Sequence, residues 1–297
     1  MVGLLLSMYN GEKYIYDQME SIRCQTEKID HVVIVDDCSS DNGVIIVKDY
    51  IERNSLGWKL IENYSNKGWM RNFLDNIALL DDDYIFFCDQ DDVWNEEKVK
   101  DTIFAINAMN ALVVCCNYKL IYSDMTASRD LEKEQRKLIN DEKILKVKQK
   151  PENFYIRRPG CSMCVTREAV NIAKPFLKCK HPHDAIFWKI ALVEDRLYII
   201  NKPLLYWRRH GNNASTGRRS RKGRLSGLYD ELEFAKSLNT TYPDGVLVNE
   251  YHKQVCLRYE LFQRKKIMCW IRLFWLRKYY VSCRSYLGDL YLCFFSK

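Results

Sequence analysis

The stretch Tyr84–Trp94, with the sequence YIFFCDQDDVW, constrains the fold of this chain more than any other. Its first half is a continuous apolar run of the kind that forms a strand covered on both faces. Three carboxylates, Asp89, Asp91 and Asp92, follow within four positions and therefore belong at the carboxyl end of that strand. Open α/β sheets bind their ligands at this edge.

Carboxylates so close together repel one another unless a cation compensates their charge. Hard oxygen ligands suit Mg²⁺ or Mn²⁺, so the motif predicts a divalent cation beside a phosphorylated ligand. An acidic surface turn is the usual alternative for an isolated Asp-X-Asp. The apolar run before the motif and the helix start at Asn95-Glu96-Glu97 after it favour the functional interpretation.

Three earlier segments repeat the order of strand, polar loop and helix. The predicted strands are Val2–Leu6, His31–Val35 and a short one near Trp58–Ile61; the loops after them contain Ser7-Met8-Tyr9-Asn10-Gly11-Glu12, Asp36-Asp37 and Asn66-Lys67-Gly68. Right-handed crossovers put all these loops on one edge, which predicts an α/β fold with a doubly wound, mostly parallel nucleotide-binding sheet. Neither a Gly-X-Gly-X-X-Gly nor a P-loop sequence occurs, which argues against dinucleotide oxidoreductases and P-loop kinases.

A fifth strand is predicted for Ala111–Cys116, and the charged stretch from Asp124 to Lys150 is predicted to be irregular. Such a stretch is either a solvated surface segment or a mobile loop over the site. A helix with a wide apolar face then covers 185–192 and has Asp184 in its first turn, where the helix dipole favours the ionised carboxylate. Asp184 is suited there to be a catalytic base and equally suited to be an N-cap.

Two further strands, Leu197–Ile200 and Leu204–Trp207, are predicted before a polar loop that begins at Arg208 and runs to Gly217. The arginines and backbone of this loop suit a pyrophosphate. His210 is a candidate metal ligand because imidazole tolerates Mn²⁺, and a structural histidine is the alternative.

The net charge of +7 resides in the C-terminal part of the chain, where residues 218–297 carry 16 basic and 7 acidic side chains. Apolar residues recur there at helical spacing, and the stretch Ile267–Tyr280 mixes aromatic with basic residues. No apolar run reaches the roughly 18 residues that span a bilayer. This pattern suits an interfacial helix on anionic lipid, and it suits equally a helix packed on the catalytic domain or a second subunit.

Twelve cysteines lie within apolar strands and helices, and the opening Leu4-Leu5-Leu6 is too short for a signal peptide. We therefore expect reduced thiols in a cytoplasmic protein. Cys161 and Cys164 have zinc-ligand spacing but lack a second Cys/His pair, which favours packing.

Six motifs together resemble family 2 glycosyltransferases of the GT-A fold, in the family's order and across residues 2–217. They are Ser7-Met8-Tyr9-Asn10-Gly11-Glu12, Val35-Asp36-Asp37-Cys38-Ser39, Asn66-Lys67-Gly68, Asp89-Gln90-Asp91-Asp92-Val93-Trp94, His183-Asp184 and His210-Gly211-Asn212-Asn213. The FCDQDDVW form is similar to bacterial members labelled rhamnosyltransferases. The chain departs from many relatives in having His183-Asp184 where they have a Glu-Asp pair.

The resemblance implies single-displacement transfer, with inversion, of a sugar from a UDP- or dTDP-linked donor to a saccharide acceptor in surface or capsular polysaccharide synthesis. It implies a Mn²⁺ or Mg²⁺ site at Asp91, Asp89 and His210, and it makes Asp184 the general base. Asp36, with Asp37 as its rival, would accept a hydrogen bond from the nucleobase, Tyr9 would flank that base, and Asp89 would lie near the ribose. The residues expected to bind the nucleotide sugar are Ser7, Tyr9, Asn10, Glu12, Asp36, Asp37, Asn66, Asp89 and Arg209.

We expect a GT-A catalytic domain over 1–217 and a basic helical region over 218–297, at the inner face of the cell membrane, with a lipid-linked acceptor. A homodimer stays open. A metal-dependent nucleotidyl or phosphoryl transferase is the rival enzyme, and it would transfer the nucleotide instead of the sugar. A nucleic-acid-binding module using the basic region is the non-enzymatic rival, although no RNA or DNA motif occurs in the sequence.

Overall fold

The computed structural model describes residues 1–123, 129–211 and 220–295. The chain divides into two compact units: unit 1 comprises Met1–Val147, Arg158–Ile172 and Arg196–Asn213, and unit 2 comprises Lys148–Arg157, Ala173–Asp195 and Ala214–Lys297. The expected domain boundary between residues 217 and 218 lies outside the described residues and stays a prediction.

Unit 1 contains the strands of the described chain. They are β1 (Val2–Met8), β2 (His31–Asp36), β3 (Lys59–Glu62), β4 (Tyr84–Asp89), β5 (Val93–Trp94), β6 (Val113–Tyr122), β7 (Ile144–Lys146), β8 (Met163–Thr166) and β9 (Leu197–Arg209). The helices are α1 (Ile15–Arg23), α2 (Gly43–Arg53), α3 (Trp69–Leu74), α4 (Lys98–Met109), α5 (Arg129–Gln135), α6 (Arg167–Ala173), α7 (His183–Val193), α8 (Arg221–Thr241), α9 (Val246–Arg264), α10 (Ile267–Leu273) and α11 (Cys283–Phe294).

The strands form one mixed sheet in the order β3-β2-β1-β4-β8-β6-β9-β5, and β7 also pairs with β9. Strands β3, β2, β1 and β4 are mutually parallel, as are β6 and β9, whereas β8, β5 and β7 pair antiparallel with their neighbours. Most of the ladder is therefore parallel, and the predicted α/β fold is confirmed.

The central strands are apolar at successive positions because both faces of the sheet are covered. Leu4, Leu5, Phe86 and Phe87 are completely buried although neighbouring side chains point to opposite faces. The strand order reverses between β1 and β4. Such a switch point is where open α/β sheets bind ligands, and the carboxyl edge of these two strands is called the β1/β4 crevice below.

Three expectations about the later elements need correction. Strand β6 continues to Tyr122, and Leu197–Arg209 is one strand in place of the two predicted. Pro203 does not end it, because the β6 partner shifts register around Asn117, which faces Pro203. The charged stretch from Asp124 to Lys150 contains α5 and β7, so it is not wholly irregular; residues 124–128 lie outside the described residues.

Unit 2 is helical, and its core is lined by apolar residues at helical spacing, such as Leu228 and Leu232 of α8 and Val248 and Val255 of α9. The helix predicted over 267–280 is α10 followed by a 3-10 turn, Phe274–Tyr279, and α11 adds a helix that the sequence did not predict. Among the residues that the structure describes, no helix combines the length and the hydropathy needed to cross a membrane.

Candidate active site

The predicted site residues of the first four strands meet at one edge of the sheet. Ser7 of β1 stands opposite Asp89 of β4 in the parallel register, and Met8 stands opposite Asp36 of β2. The chemistry-bearing residues of these strands therefore lie at their carboxyl ends beside the β1/β4 crevice, where a nucleotide is expected.

Asn10 and Glu12 tie the loop after β1 to the loop after β2. The Asn10 backbone N–H donates to Ser39 Oγ at 2.8 Å, and Asn10 Oδ1 accepts from the Ser40 N–H at 2.8 Å. Glu12 Oε2 accepts from both the backbone and the side-chain nitrogens of Asn42 at 3.0 Å. Both side chains expected to bind the donor thus position the two loops that surround the crevice.

Gln90 fastens the acidic loop to the end of β1, a role that the sequence did not predict. Its Oε1 accepts from the Tyr9 backbone N–H at 2.6 Å, and its Nε2 donates to the Tyr9 carbonyl at 2.9 Å. The loop after β1 passes so near that a Cβ on Gly11 would lie 2.8 Å from Gln90 Oε1. The Tyr9 side chain is left 48% exposed, which suits an aromatic ring that flanks a bound base.

Asp36 and Asp37 are both buried, but they hold different groups. Asp37 accepts backbone N–H groups from Lys67 and Gly68, each at 2.8 Å, and the Asn63 side-chain amide at 3.0 Å. Among the described residues, Asp36 accepts side-chain hydrogen bonds from Ser39 alone. The Ser39 backbone N–H donates at 2.9 Å, and the Ser39 hydroxyl donates as well. Asp37 is therefore built into the loop after β3, and Asp36 retains acceptor capacity.

Ser7 and Asn66 belong to the same local framework. Ser7 Oγ accepts from the Asn72 side-chain amide at 2.7 Å, and that amide also donates to the Val35 carbonyl at 2.9 Å. Asn66 Oδ1 accepts from the Gly68 N–H at 3.0 Å. Asn72, which the sequence did not single out, is buried and links β1, β2 and α3.

Asp91 and His210, both predicted metal ligands, are in contact. Asp91 Oδ2 lies 2.8 Å from His210 Nε2, although the two residues are 119 positions apart. Arg208 secures this approach by donating its backbone N–H to Asp92 Oδ1 at 2.9 Å and its Nε–H to the Asp91 carbonyl at 2.7 Å. The His210 ring stacks on Tyr14 with centroids 4.9 Å apart.

Asp89 forms a second cluster, with Asp92 and Cys161, in which one ligand atom of each lies within 4.8 Å of the others. Asp92 is completely buried, and its Oδ2 has no hydrogen-bond partner among the described residues. Burial, followed by the charges of Asp91 and Asp89, raises the pKa of Asp92 well above its usual range. Burial and the charges of Asp92 and Asp89 likewise raise the pKa of Cys161, whose place beside the acidic motif the sequence did not predict.

The three predicted metal ligands are not all brought together. Asp91 and His210 are in contact, whereas the group of three ligand atoms found among the described residues contains Asp89 but neither Asp91 nor His210. Carboxylate oxygens and an imidazole nitrogen are ligands that Mn²⁺ accepts. After burial, the charges of Asp91 and Asp89 contribute to the raised pKa of Asp92, and a cation beside these carboxylates would relieve their repulsion.

The remaining predicted residues lie elsewhere along the chain. Arg209 ends β9, with its guanidinium 4.7 Å from the centre of the Trp207 ring. Asn212 and Asn213 lie outside the described residues. Asp184 belongs to unit 2 and to the first turn of α7, as predicted. It is not the N-cap, because Pro182 holds that position, and its Oδ1 accepts from the adjacent Ala185 N–H at 2.7 Å.

Clustered carboxylates beside a topological switch point are typical of α/β enzymes that bind a nucleotide. Residues 4–169, more than half of the chain, match the model of glycosyl transferase family 2. The chain belongs to this family, and the prediction of a glycosyltransferase that uses a nucleotide sugar is confirmed.

Individual relatives agree with this family. The chain is 27% identical over 270 residues to the dTDP-rhamnosyl transferase RfbG of Shigella flexneri, covering 84% of this chain and 88% of that one. It is 33% identical over 123 residues to the poly(ribitol-phosphate) β-N-acetylglucosaminyltransferase TarS of Staphylococcus aureus, covering 39% of this chain and 21% of that one. The predicted resemblance to rhamnosyltransferases is therefore confirmed.

Solved structures show the same fold. A structure of S. aureus TarS residues 1–349 in complex with UDP-GlcNAc superposes with a TM-score of 0.65 at 19% identity, covering 89% of this chain and 73% of that chain. The mannosyltransferase PcManGT of Pyrobaculum calidifontis, in complex with GDP-Man and Mn²⁺, gives a TM-score of 0.56 at 12% identity, covering all of this chain and 88% of that one.

Proposed function

We propose that this glycosyltransferase inverts the anomeric centre as it moves a sugar from a dTDP- or UDP-linked donor to a saccharide hydroxyl in surface or capsular polysaccharide synthesis. The extent of the match to a dTDP-rhamnosyl transferase favours a dTDP-linked deoxyhexose among these donors. The acceptor is a lipid-linked saccharide, and the protein works at the inner face of the cell membrane. A homodimer remains a further proposal.

The nucleotide is placed at the β1/β4 crevice. Asp36 accepts a hydrogen bond from the base, because its carboxylate retains acceptor capacity while that of Asp37 is bound to backbone amides. The exposed ring of Tyr9 flanks the base. Asp89 lies near the ribose, and Arg209 meets the pyrophosphate. Ser7, Asn10, Glu12 and Asn66 keep the surrounding loops in place, as their hydrogen bonds indicate.

Asp91, His210 and Asp89 would hold Mn²⁺ or Mg²⁺. A bound divalent cation compensates the negative charge that develops on the departing nucleoside diphosphate. The chain's own contribution is to keep Asp91 and His210 together through Arg208, which bonds to both Asp91 and Asp92.

Asp184 is the general base. The attacking hydroxyl loses its proton as the new glycosidic bond forms, and a positioned carboxylate accelerates such a step by about 10²–10⁴-fold. The carboxylate accepts one short-range hydrogen bond, from Ala185, and retains lone pairs for an acceptor hydroxyl.

The contact of Asp91 with His210 across 119 positions is the observation that carries this proposal. Turnover of a panel of nucleotide sugars is measured with Mn²⁺, with Mg²⁺ and with excess chelator. We expect chelator to abolish turnover and Asp91→Asn to lose most of it, since an amide is a poorer ligand than a carboxylate.

The matched control is Asp49→Asn, which alters an exposed carboxylate on α2 and is expected to turn over normally. Full activity of the wild-type protein in excess chelator would contradict the metal site. Transfer of the nucleotide to the acceptor, in place of the sugar, would contradict the proposed reaction.

A further inference from the structure

The segment from α10 through the following 3-10 turn has two apolar sides. Cys269, Leu273 and Leu276 are buried in the core of unit 2. Five other large apolar side chains point to solvent at positions i, i+1, i+4, i+7 and i+8, which share one side of a helix. This α10 face consists of Ile267, Met268, Ile271, Phe274 and Trp275, among which Met268 is 61% and Trp275 79% exposed.

The segment that bears the α10 face is rich in basic residues, and Glu152, Glu250 and Glu260 are the acidic residues that approach it from other parts of unit 2. Every exposed charged side chain described between residues 264 and 295 is basic: Arg264, Lys265, Lys266, Arg272, Arg277, Lys278 and Arg284. The single acidic residue of this range, Asp289, is buried and bound to Arg258 at 2.8 Å. Of the basic groups, Lys278 is paired with Glu250 at 2.6 Å. The surface therefore combines an apolar stripe with a strong excess of cations.

Aromatic rings and cations lie next to each other at one end of the face. Trp275 packs edge-on against Phe274 with centroids 5.6 Å apart, and the Arg277 guanidinium lies 4.1 Å from the centre of the Phe274 ring. An open cleft of about 450 Å³ is lined by residues that include Trp275, Arg277 and Lys278 and one acidic residue, Glu152. Tryptophan and arginine side by side are suited to the headgroup layer of a bilayer, where one end of each side chain is apolar and the other is wet.

We propose that the α10 face is the surface by which this protein docks on an anionic lipid bilayer, with the apolar side chains inserted below the headgroups and the basic side chains at the phosphates. The inference deepens the proposed function by naming the membrane-contacting surface. Charge distinguishes lipid from a second copy of the chain, since a two-fold contact through this face would bring two sets of basic side chains together.

Binding is measured by co-sedimentation with vesicles of phosphatidylglycerol and phosphatidylcholine in equal parts, and with vesicles of phosphatidylcholine alone. The apolar variant combines Met268→Ser, Ile271→Ser and Trp275→Ser, and the charge variant combines Lys265→Gln, Lys266→Gln and Arg272→Gln. All six side chains are exposed, so the fold should persist, which circular dichroism and the unfolding midpoint verify. Phe104→Ser with Val246→Ser removes exposed apolar area from other surfaces as the matched control.

We expect the wild-type protein to prefer the anionic vesicles and the control to match it. The apolar variant should bind them at least about tenfold more weakly, since three large apolar side chains no longer leave water on binding. The charge variant should lose affinity for the anionic vesicles only, by about fivefold for each basic side chain removed. Added salt should likewise weaken the binding of the wild-type protein to these vesicles.

The proposal would be overturned if the wild-type protein did not bind anionic vesicles, or if the apolar variant bound them as well as the wild type does. A wild-type dimer that the apolar variant converts to a monomer without any change in vesicle binding would overturn it as well. These measurements need neither donor nor acceptor, so their failure would leave the transferase proposal standing, and turnover of a soluble acceptor analogue tests that proposal separately.

Discussion

At the scale of single residues, one substitution distinguishes a catalytic role of Asp184 from a merely structural one. Asp184→Asn keeps the size and most hydrogen bonding of the side chain but cannot take a proton from an acceptor hydroxyl. We therefore expect sugar transfer to fall by about 10²–10⁴-fold while nucleotide affinity persists. Transfer kinetics and calorimetry on the same preparations measure both quantities.

Stability serves as the control for this substitution. Because Pro182, and not Asp184, occupies the N-cap position, the variant should unfold at nearly the wild-type denaturant concentration. Wild-type transfer rates in Asp184→Asn would remove it as the base and direct the search to another carboxylate.

Asp36 and Asp37 are adjacent in sequence, yet their hydrogen bonds predict different consequences of substitution. Asp37→Ala removes the acceptor of the Lys67 N–H and one of the two acceptors of the Gly68 N–H, which should lower the free energy of unfolding by about 1–3 kcal/mol. Asp36→Ala should instead weaken nucleoside-diphosphate binding by about 1–3 kcal/mol, because it removes a hydrogen bond to the base.

Chemical denaturation and titration calorimetry of both variants check this pair. If Asp36→Ala bound the nucleotide normally while a folded Asp37→Ala did not, the two roles would have to be exchanged.

His183, the first residue of α7, predicts a pH effect on stability. Burial lowers its pKa to about 4 from an ordinary value of 6.5. The unfolded chain therefore binds the proton more readily, so the stabilising contribution is complete above pH 6.5 and is lost as the pH falls toward 4. By linkage this share amounts to about 3 kcal/mol.

The free energy of unfolding is measured for the wild-type and His183→Gln proteins above pH 6.5 and near pH 4. The contribution of His183 is the difference between the two proteins in how much that free energy falls between these pH values. The comparison is needed because burial raises the pKa of Glu231, which acts in the opposite direction. Equal pH slopes for the two proteins would refute the contribution of His183.

At the scale of elements, a buried ion pair joins α9 to α11. Arg258 Nε lies 2.8 Å from Asp289 Oδ2, and Tyr280 Oη donates to the same oxygen at 2.9 Å. All three side chains are buried. The C-terminal segment is thus part of the core of unit 2 and also bears an exposed apolar face. Packing within unit 2 is observed, and contact with a membrane stays a proposal.

Asp289→Ala should lower the free energy of unfolding by about 3–5 kcal/mol, because it removes the nearer carboxylate of the buried Arg258 guanidinium and leaves Glu231, at 3.9 Å. Tyr280→Phe removes one hydrogen bond and should cost about 1 kcal/mol. Both are measured by denaturant unfolding. A loss of less than about 1 kcal/mol in Asp289→Ala would mean that water reaches Arg258 in the folded state.

Removal of residues 264–297 is expected to prevent unit 2 from folding, because it removes the buried Tyr280 and Asp289. Truncation is therefore a poor test of membrane binding.

At the scale of the whole molecule, the sequence predicted most of what depends on near neighbours. Apolar runs that end in Asp36 and Asp89 predicted parallel strands with chemistry at one edge, because strand burial and strand-end polarity are local properties of the chain. The alternation of strands and helices followed from that pattern, whereas the family followed from the resemblance of six motifs. The single strand β9 escaped prediction because Pro203 ordinarily ends a strand, and only the shifted register of its partner β6 accommodates it.

What the tertiary structure alone decided are contacts between residues far apart in sequence. Gln90 pairing with Tyr9, Cys161 beside Asp92, and Asp91 against His210 all depend on which strands become neighbours. The two sides of α10 depend likewise on which helices cover it. Side-chain periodicity shows that a segment has an apolar face. It does not show which element covers that face, because this depends on how the topology arranges elements that are distant in sequence.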